Sequence, residues 1–185
     1  MIVANGVYKI AGVSNVYYLK NENVIIDTGI KKERRKIRKE LEKLVNINNI
    51  RKVILTHLHY DHIGNIEVFK KADFYAGKNA IKSLKDMPFE TVLDFERVKA
   101  IEGMLERLKP AKDINGLKII ECPGHTYGSI SVYYPKKQVL FSGDTLFYNG
   151  VGRTDLPTSE PDKMGKTLAR LRRLRYKILC PGHDY

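Results

Sequence analysis

Apolar and polar positions along this chain follow two periods. Residues 7–10, 16–19 and 24–27 are short β-branched and aromatic runs, parted by Gly12-Val13-Ser14-Asn15 and Asn21-Glu22-Asn23. They predict an opening antiparallel meander. The pattern then changes to helical spacing, with Ile37, Leu41, Leu44 and Val45 forming one apolar stripe among lysines and arginines. Residues 52–55 and 73–76 read as further strands. From 81 to 108 the spacing predicts helix broken at Pro88, with a core stripe of Val92, Phe95, Val98, Ile101, Met104, Leu105 and Leu108, ended by Pro110. Residues 117–121, 130–134 and 139–142 predict a second run of strands. A loop over 143–158, a helix over 164–174 and a strand over 177–180 follow. Two runs of strands, each with helices, predict two packed β layers covered by helices in one domain spanning 1–185.

Composition changes this picture little. At 43% hydrophobic and 29% charged residues, the chain has the make-up of a folded protein. No apolar run is long enough to span a membrane, and no basic-then-apolar leader opens the sequence, so a cytoplasmic location is expected. The net charge of +12 raises nucleic acid as a partner. Much of that charge lies on the solvated faces of the two amphipathic helices, around Lys31–Lys39 and Arg170–Arg175. A small anionic molecule is therefore the expected partner, and the sequence leaves the oligomeric state open. Cys122 and Cys180, each in Cys-Pro-Gly-His, read as small buried side chains at strand ends.

The chemistry concentrates in Thr56-His57-Leu58-His59-Tyr60-Asp61-His62, which holds three of the five histidines directly after a buried strand. In an extended segment His57 and His59 share a face. Once the chain turns, Asp61 and His62 approach from another side. The two other histidines, His125 and His183, each follow Pro-Gly just past a predicted strand, and Asp144 follows the strand over 139–142. If those strand ends gather at one edge, five histidines and two aspartates meet there. Seven nitrogen and oxygen donors exceed one tetrahedral zinc and suit two metals sharing a carboxylate and a hydroxide. Nitrogen and oxygen donors without thiolate fit zinc, iron or manganese and do not choose among them. Asp27 reads either as a helix cap or as a carboxylate that orients the histidine loop.

Thr-His-Leu-His-Tyr-Asp-His resembles the signature of the metallo-β-lactamase superfamily, and Asp27, His125, Asp144 and His183 match its remaining motifs in order. The resemblance implies an α/β fold, an αββα sandwich of two mixed sheets with helices on both outer faces and metals at one sheet edge. It implies that His57, His59 and His125 hold the first metal, that Asp61, His62 and His183 hold the second, and that Asp144 bridges. Ser142-Gly143-Asp144-Thr145-Leu146-Phe147 and the Gly-Arg-Thr-Asp loop at 152–155 are similar to the glyoxalase II (hydroxyacylglutathione hydrolase) group. That likeness implies hydrolysis of a thioester or related acyl substrate by a bridging metal-bound hydroxide, with Asp61 also orienting the nucleophile. Glyoxalase II continues into a helical domain that helps bind glutathione, whereas this sequence stops at Tyr185, so the likeness does not fix the thiol carrier.

Persulfide dioxygenases share the Gly-Arg-Thr-Asp loop, which keeps a mononuclear-iron alternative with His57, His125 and Asp144 as ligands. Lactone or lactam hydrolysis and a nuclease are the remaining alternatives. Tyr127, Tyr148 and Tyr185 lie close in sequence to candidate ligands and are expected substrate contacts. Arg153 and Lys78 are the cations expected to receive an anionic group, with Arg153 alternatively pairing with Asp155.

Overall fold

The computed structural model describes residues 1–184. Its first sheet has seven strands in sequence order: β1 (Ile2–Ala4), β2 (Val7–Ile10), β3 (Val16–Leu19), β4 (Val24–Ile26), β5 (Lys52–Ile54), β6 (Asp73–Ala76) and β7 (Leu108–Pro110). Pairing is antiparallel through β4 and parallel from β4 to β7. The second sheet runs β11-β10-β9-β8, from β8 (Lys118–Glu121), β9 (Ile130–Tyr134), β10 (Val139–Gly143) and β11 (Ile178–Pro181). Only its β10–β11 pair is parallel. Both sheets are mixed.

Helices α1 (Arg34–Glu42), α2 (Lys78–Asp86), α3 (Pro88–Val92) and α4 (Phe95–Glu102) supply the outer layer of the first sheet, and α5 (Pro161–Arg172) that of the second. Three cores result. Val16, Tyr18, Ile25, Val53 and Leu55 share a cluster with Ile37 and Leu41 of α1 and Ala80 and Leu84 of α2. Tyr17, Leu19, Val24, Ile26 and Ile54 face instead Val132, Val139 and Phe141 of the second sheet. A smaller cluster joins Leu140 and Cys122 to Leu171 of α5. Alternate residues of one strand thus enter different cores, which is why β3 to β5 are apolar on both faces. The αββα sandwich follows from that double burial.

The long helix expected from 81 to 108 is three short helices and a strand. Leu93 takes a left-handed φ of 62°, which ends α3, and the Asp94 side chain accepts the Arg97 N–H at 2.9 Å to start α4. Leu108 pairs with Phe74 in β7, an edge strand where Pro110 is tolerated. Phe95 belongs to no core; it is 69% exposed and stacks on Phe89 with ring centroids 4.3 Å apart. The opening strand β1 was not expected. Among the described residues no helix is long and apolar enough to cross a membrane.

Candidate metal centre

Five strand ends converge on one edge of the sandwich. Asp27 follows β4, the His57–His62 loop follows β5, His125 follows β8, Asp144 follows β10 and His183 follows β11. Because β4 pairs in parallel with β5, and β10 with β11, these segments leave their sheets on the same side. The Thr56 carbonyl accepts the Ile130 N–H at 2.8 Å, and the Gly143 carbonyl accepts the Gly182 N–H at 2.8 Å. The first bond ties the two sheets' ends together, and the second ties β10 to the segment after β11. Gly182 permits a close approach: a Cβ there would lie 2.1 Å from Asp144 Oδ1 and 2.8 Å from His62. No other residue fits.

The seven candidate ligands meet in three overlapping groups, His57–His59–His125, His57–His62–Asp144 and Asp61–His62–His183, whose donor atoms lie within 4.8 Å of one another in each. All five histidines are at most 5% exposed. Asp144 reaches His62 Nε2 and His183 Nε2 at 3.2 Å and His125 Nε2 at 3.7 Å, so its carboxylate lies between the outer groups. Asp61 Oδ2 is 3.4 Å from His183 Nε2. Donors held about 2.0–2.2 Å from one ion stand roughly 3–4 Å apart, which is the spacing seen here.

The outward nitrogens decide which lone pairs face inward. His125 Nδ1–H donates to the Arg153 carbonyl at 2.8 Å, and His183 Nδ1–H donates to the Val13 carbonyl. His62 Nδ1–H donates to Asp27 Oδ2 at 2.9 Å. The Thr56 hydroxyl donates to Asp27 Oδ2 at 2.8 Å and so accepts from His57 Nδ1 at 3.1 Å. Each of these four rings therefore turns its Nε2 into the cluster. His57 Nε2, His59 Nε2 and Asp144 Oδ1 are buried with no hydrogen-bond partner among the described residues. Such orphaned acceptors are costly unless a cation joins them. The donor set fits metal ions.

Asp27 is the hub behind the ligands. Its backbone is left-handed, φ 56°, and its second oxygen accepts the Thr56 N–H at 2.7 Å. It caps no helix; α1 begins only at Arg34. Burial, then the neighbouring imidazoles, hold the His57 basicity well below the ordinary value, and the same causes bring His59 down to about 3. Burial also lowers His125. Burial works against charge on His62 and His183 too, but carboxylates outweigh it there. Asp144, Asp61 and Asp27 raise His62, and bonds to Asp144 and Asp61 push His183 up to about 9. Asp144 itself is held well below the carboxylate range, because His62 and His183 outweigh its burial.

The residues after β11 are secured by the opening strands. Buried Lys9 pairs with Asp184, Asn15 Nδ2 donates to the Pro181 carbonyl at 3.1 Å, and the Tyr17 hydroxyl donates to the same carbonyl at 2.8 Å.

A cleft of about 470 Å³ opens over the cluster, lined by His59, Asp61, His125, Asp144 and His183 at its base. Of the expected substrate contacts, Arg153 lines it, with its guanidinium closed onto Asp155 at 2.7 and 2.8 Å. Tyr127 and Lys78 do not line it; the turn after His125, closed by Tyr127 N–H on the Thr158 carbonyl, leaves both beside a separate depression. Phe147 takes the place expected of Tyr148, whose hydroxyl donates to the Leu179 carbonyl at 2.8 Å. Tyr185 lies outside the described residues. Sequence reasoning missed Thr56 as the link between Asp27 and His57, and the Arg153 and Val13 carbonyls, which carry no side-chain signal.

A two-sheet αββα sandwich with a buried histidine–aspartate cluster at one sheet edge defines a fold suited to hold metal ions there. The profile of the metallo-beta-lactamase superfamily matches residues 10–183, and the chain belongs to that superfamily. A probable metallo-hydrolase of Methanocaldococcus jannaschii is 33% identical over 184 residues, covering 92% of this chain and 87% of that protein. A hydroxyacylglutathione hydrolase of Bartonella quintana is 34% identical over 139 residues, covering 72% of this chain and 48% of its own length. The chain thus spans about half the length of that relative. Among solved structures, TTHA1623 in a di-iron-bound form superposes with a TM-score of 0.72 at 25% identity, covering 97% of this chain and 92% of that one. Superfamily membership supports a hydrolase that uses divalent metal.

Proposed function

We propose that this protein hydrolyses a thioester or related acyl compound with two divalent ions, zinc being the expected pair. The observation that carries the reading is Asp144, which lies between two donor groups at the base of an open cleft. When bound, two ions sharing a carboxylate lower the pKa of a water between them and polarise a carbonyl oxygen. In this reading His57, His59 and His125 hold one ion, and Asp61, His62 and His183 the other. Asp61 lines the cleft and is less buried than the histidines. Burial opposes its charge, yet His62 and His183 keep its carboxyl below the ordinary range. It therefore stays ionised and accepts a hydrogen bond from the attacking water, aiming the oxygen's lone pair at the carbonyl. Asp27 and Thr56 keep His57 and His62 from rotating as charge develops.

The match to hydroxyacylglutathione hydrolases supports a thioester as the acyl donor. Because it covers about half of such a protein, the thiol half of the substrate is tested rather than carried over. Purified protein loaded with zinc should release thiol from S-lactoylglutathione or simpler thioesters. The reading is overturned by one iron per chain, oxygen consumption with glutathione persulfide and no thiol release.

A further inference from the structure

Above the candidate ligands the cleft has walls of one character. Tyr60 and Leu93 come from the histidine loop and the end of α3, which travel together because the Tyr60 N–H donates to the Val92 carbonyl at 2.9 Å. Phe147, Val151 and Leu156 come from the loop after β10. Tyr60 is 38% and Val151 44% exposed, Leu93 and Leu156 are half-buried, and only Phe147 is buried, so most of this wall is apolar surface left open to solvent. Leu93 holds its place in the left-handed region, which a branched side chain adopts only when its surroundings dictate it.

The walls hold one cation, and it is already paired. Their polar members are the Tyr60 hydroxyl, Asn149 and Arg153, and Arg153 directs Nε and Nη2 at the two oxygens of Asp155. That fork is already closed on a carboxylate, so the pair brings no net charge to the cleft. No lysine lines the cleft among the described residues. The chain's net +12 does not replace one, since charges beyond about 8 Å are screened at physiological salt. A carboxylate tail would lose water against Leu93, Phe147 and Val151 and gain no unpaired cation in return.

Building on the hydrolase reading above, we infer that this site selects an acyl group with an uncharged, apolar tail. This replaces the anionic substrate expected from Lys78 and Arg153. Tyr60, Leu93, Phe147, Val151 and Leu156 cover the tail while the carbonyl rests on the cluster.

Binding of alkyl hydroxamates to the zinc-loaded protein, followed by calorimetry, tests this without turnover. Across the acetyl, butyryl, hexanoyl and octanoyl series, Kd should fall about two- to fourfold per methylene until the chain outruns the cleft. Adipic monohydroxamate should bind at least about tenfold more weakly than its hexanoyl counterpart. Leu93→Ser with Val151→Ser should flatten the chain-length slope. A flat wild-type series, tighter binding of the carboxylate-tipped ligand, or no binding by any member overturns the inference. Hydrolysis of the matching thioesters judges the earlier reading separately. Cleavage indifferent to chain length sinks the apolar tail alone, whereas a steep hydroxamate series without any cleavage sinks the hydrolase.

Discussion

His125 and His183 both end a Cys-Pro-Gly-His run, and both turn Nδ1 outward onto a backbone carbonyl. The fold nevertheless gives them opposite electrostatics. His125 sits with His57 and His59, and burial keeps all three rings neutral. His183 sits with His62 beside Asp61 and Asp144, and those carboxylates keep both rings protonated when no metal is present. One half of the centre is thus a ready set of lone pairs. The other holds protons where a cation belongs, and loading it must release them. Identical local sequence produced this contrast, so neighbours rather than motif set the charge of each half.

The contrast fails most completely if its shared member is removed. Asp144→Ala should lower bound metal in both halves and cut activity by about 10³-fold or more, the scale on which losing an electrostatic stabiliser acts. Normal metal content and rate in that variant would overturn the bridging role. Next, His125→Ala and His183→Ala should each remove one ion preferentially, read as metal per chain by elemental analysis. Equal loss of both ions from either variant would show that the halves are not separable.

Asp27→Asn acts through His62 and Thr56 and should weaken metal affinity by about 10–100-fold without removing a ligand. An unchanged affinity would deny Asp27 its orienting role.

The smallest effect is on the metal-free protein's stability against pH. His57, His59 and His125 have folded pKa values below the unfolded value of about 6.5, so the unfolded chain binds protons there first and stability falls as pH drops below about 6.5. His183 has its folded value raised to about 9, so its contribution is full below about 6.5 and is lost as pH rises to about 9. Melting temperature with chelator should therefore peak near neutrality and fall on both sides. Zinc should abolish the alkaline fall. A metal-free profile level from pH 6.5 to 9 would count against the charged half.

The candidate ligands and the groups that hold them differed in how far the sequence revealed them. All seven donors were legible, because each is a histidine or aspartate just past an apolar run, and the alternation that puts β3 to β5 into two cores was visible as continuous hydrophobicity. What holds the donors was only partly visible. Asp27 stands out as a carboxylate at a strand end, but the Val13 and Arg153 carbonyls are backbone groups that any residue supplies. Tyr127 and Tyr148 were near ligands in sequence yet turned elsewhere, since proximity along a turn does not fix side-chain direction. The 81–108 stretch misled because apolar spacing alone does not reveal the left-handed break at Leu93 or the strand pairing of Leu108.

The bond between Lys9 and Asp184 joins positions 175 apart, and His62 meets His183 across 121, whereas His59 meets His125 across 66. Loop-closure entropy grows with the logarithm of that span, so sealing Lys9 onto Asp184 costs about 0.9 kcal/mol more than bringing His59 to His125. By chain entropy alone the His59–His125 contact closes earlier during folding, and the His62–His183 contact, next to the Lys9–Asp184 pair, closes later. In the two-ion reading proposed above, topology would also set an order of capture, because His57, His59 and His125 come together over a shorter span than the one that brings His183 to Asp61 and His62.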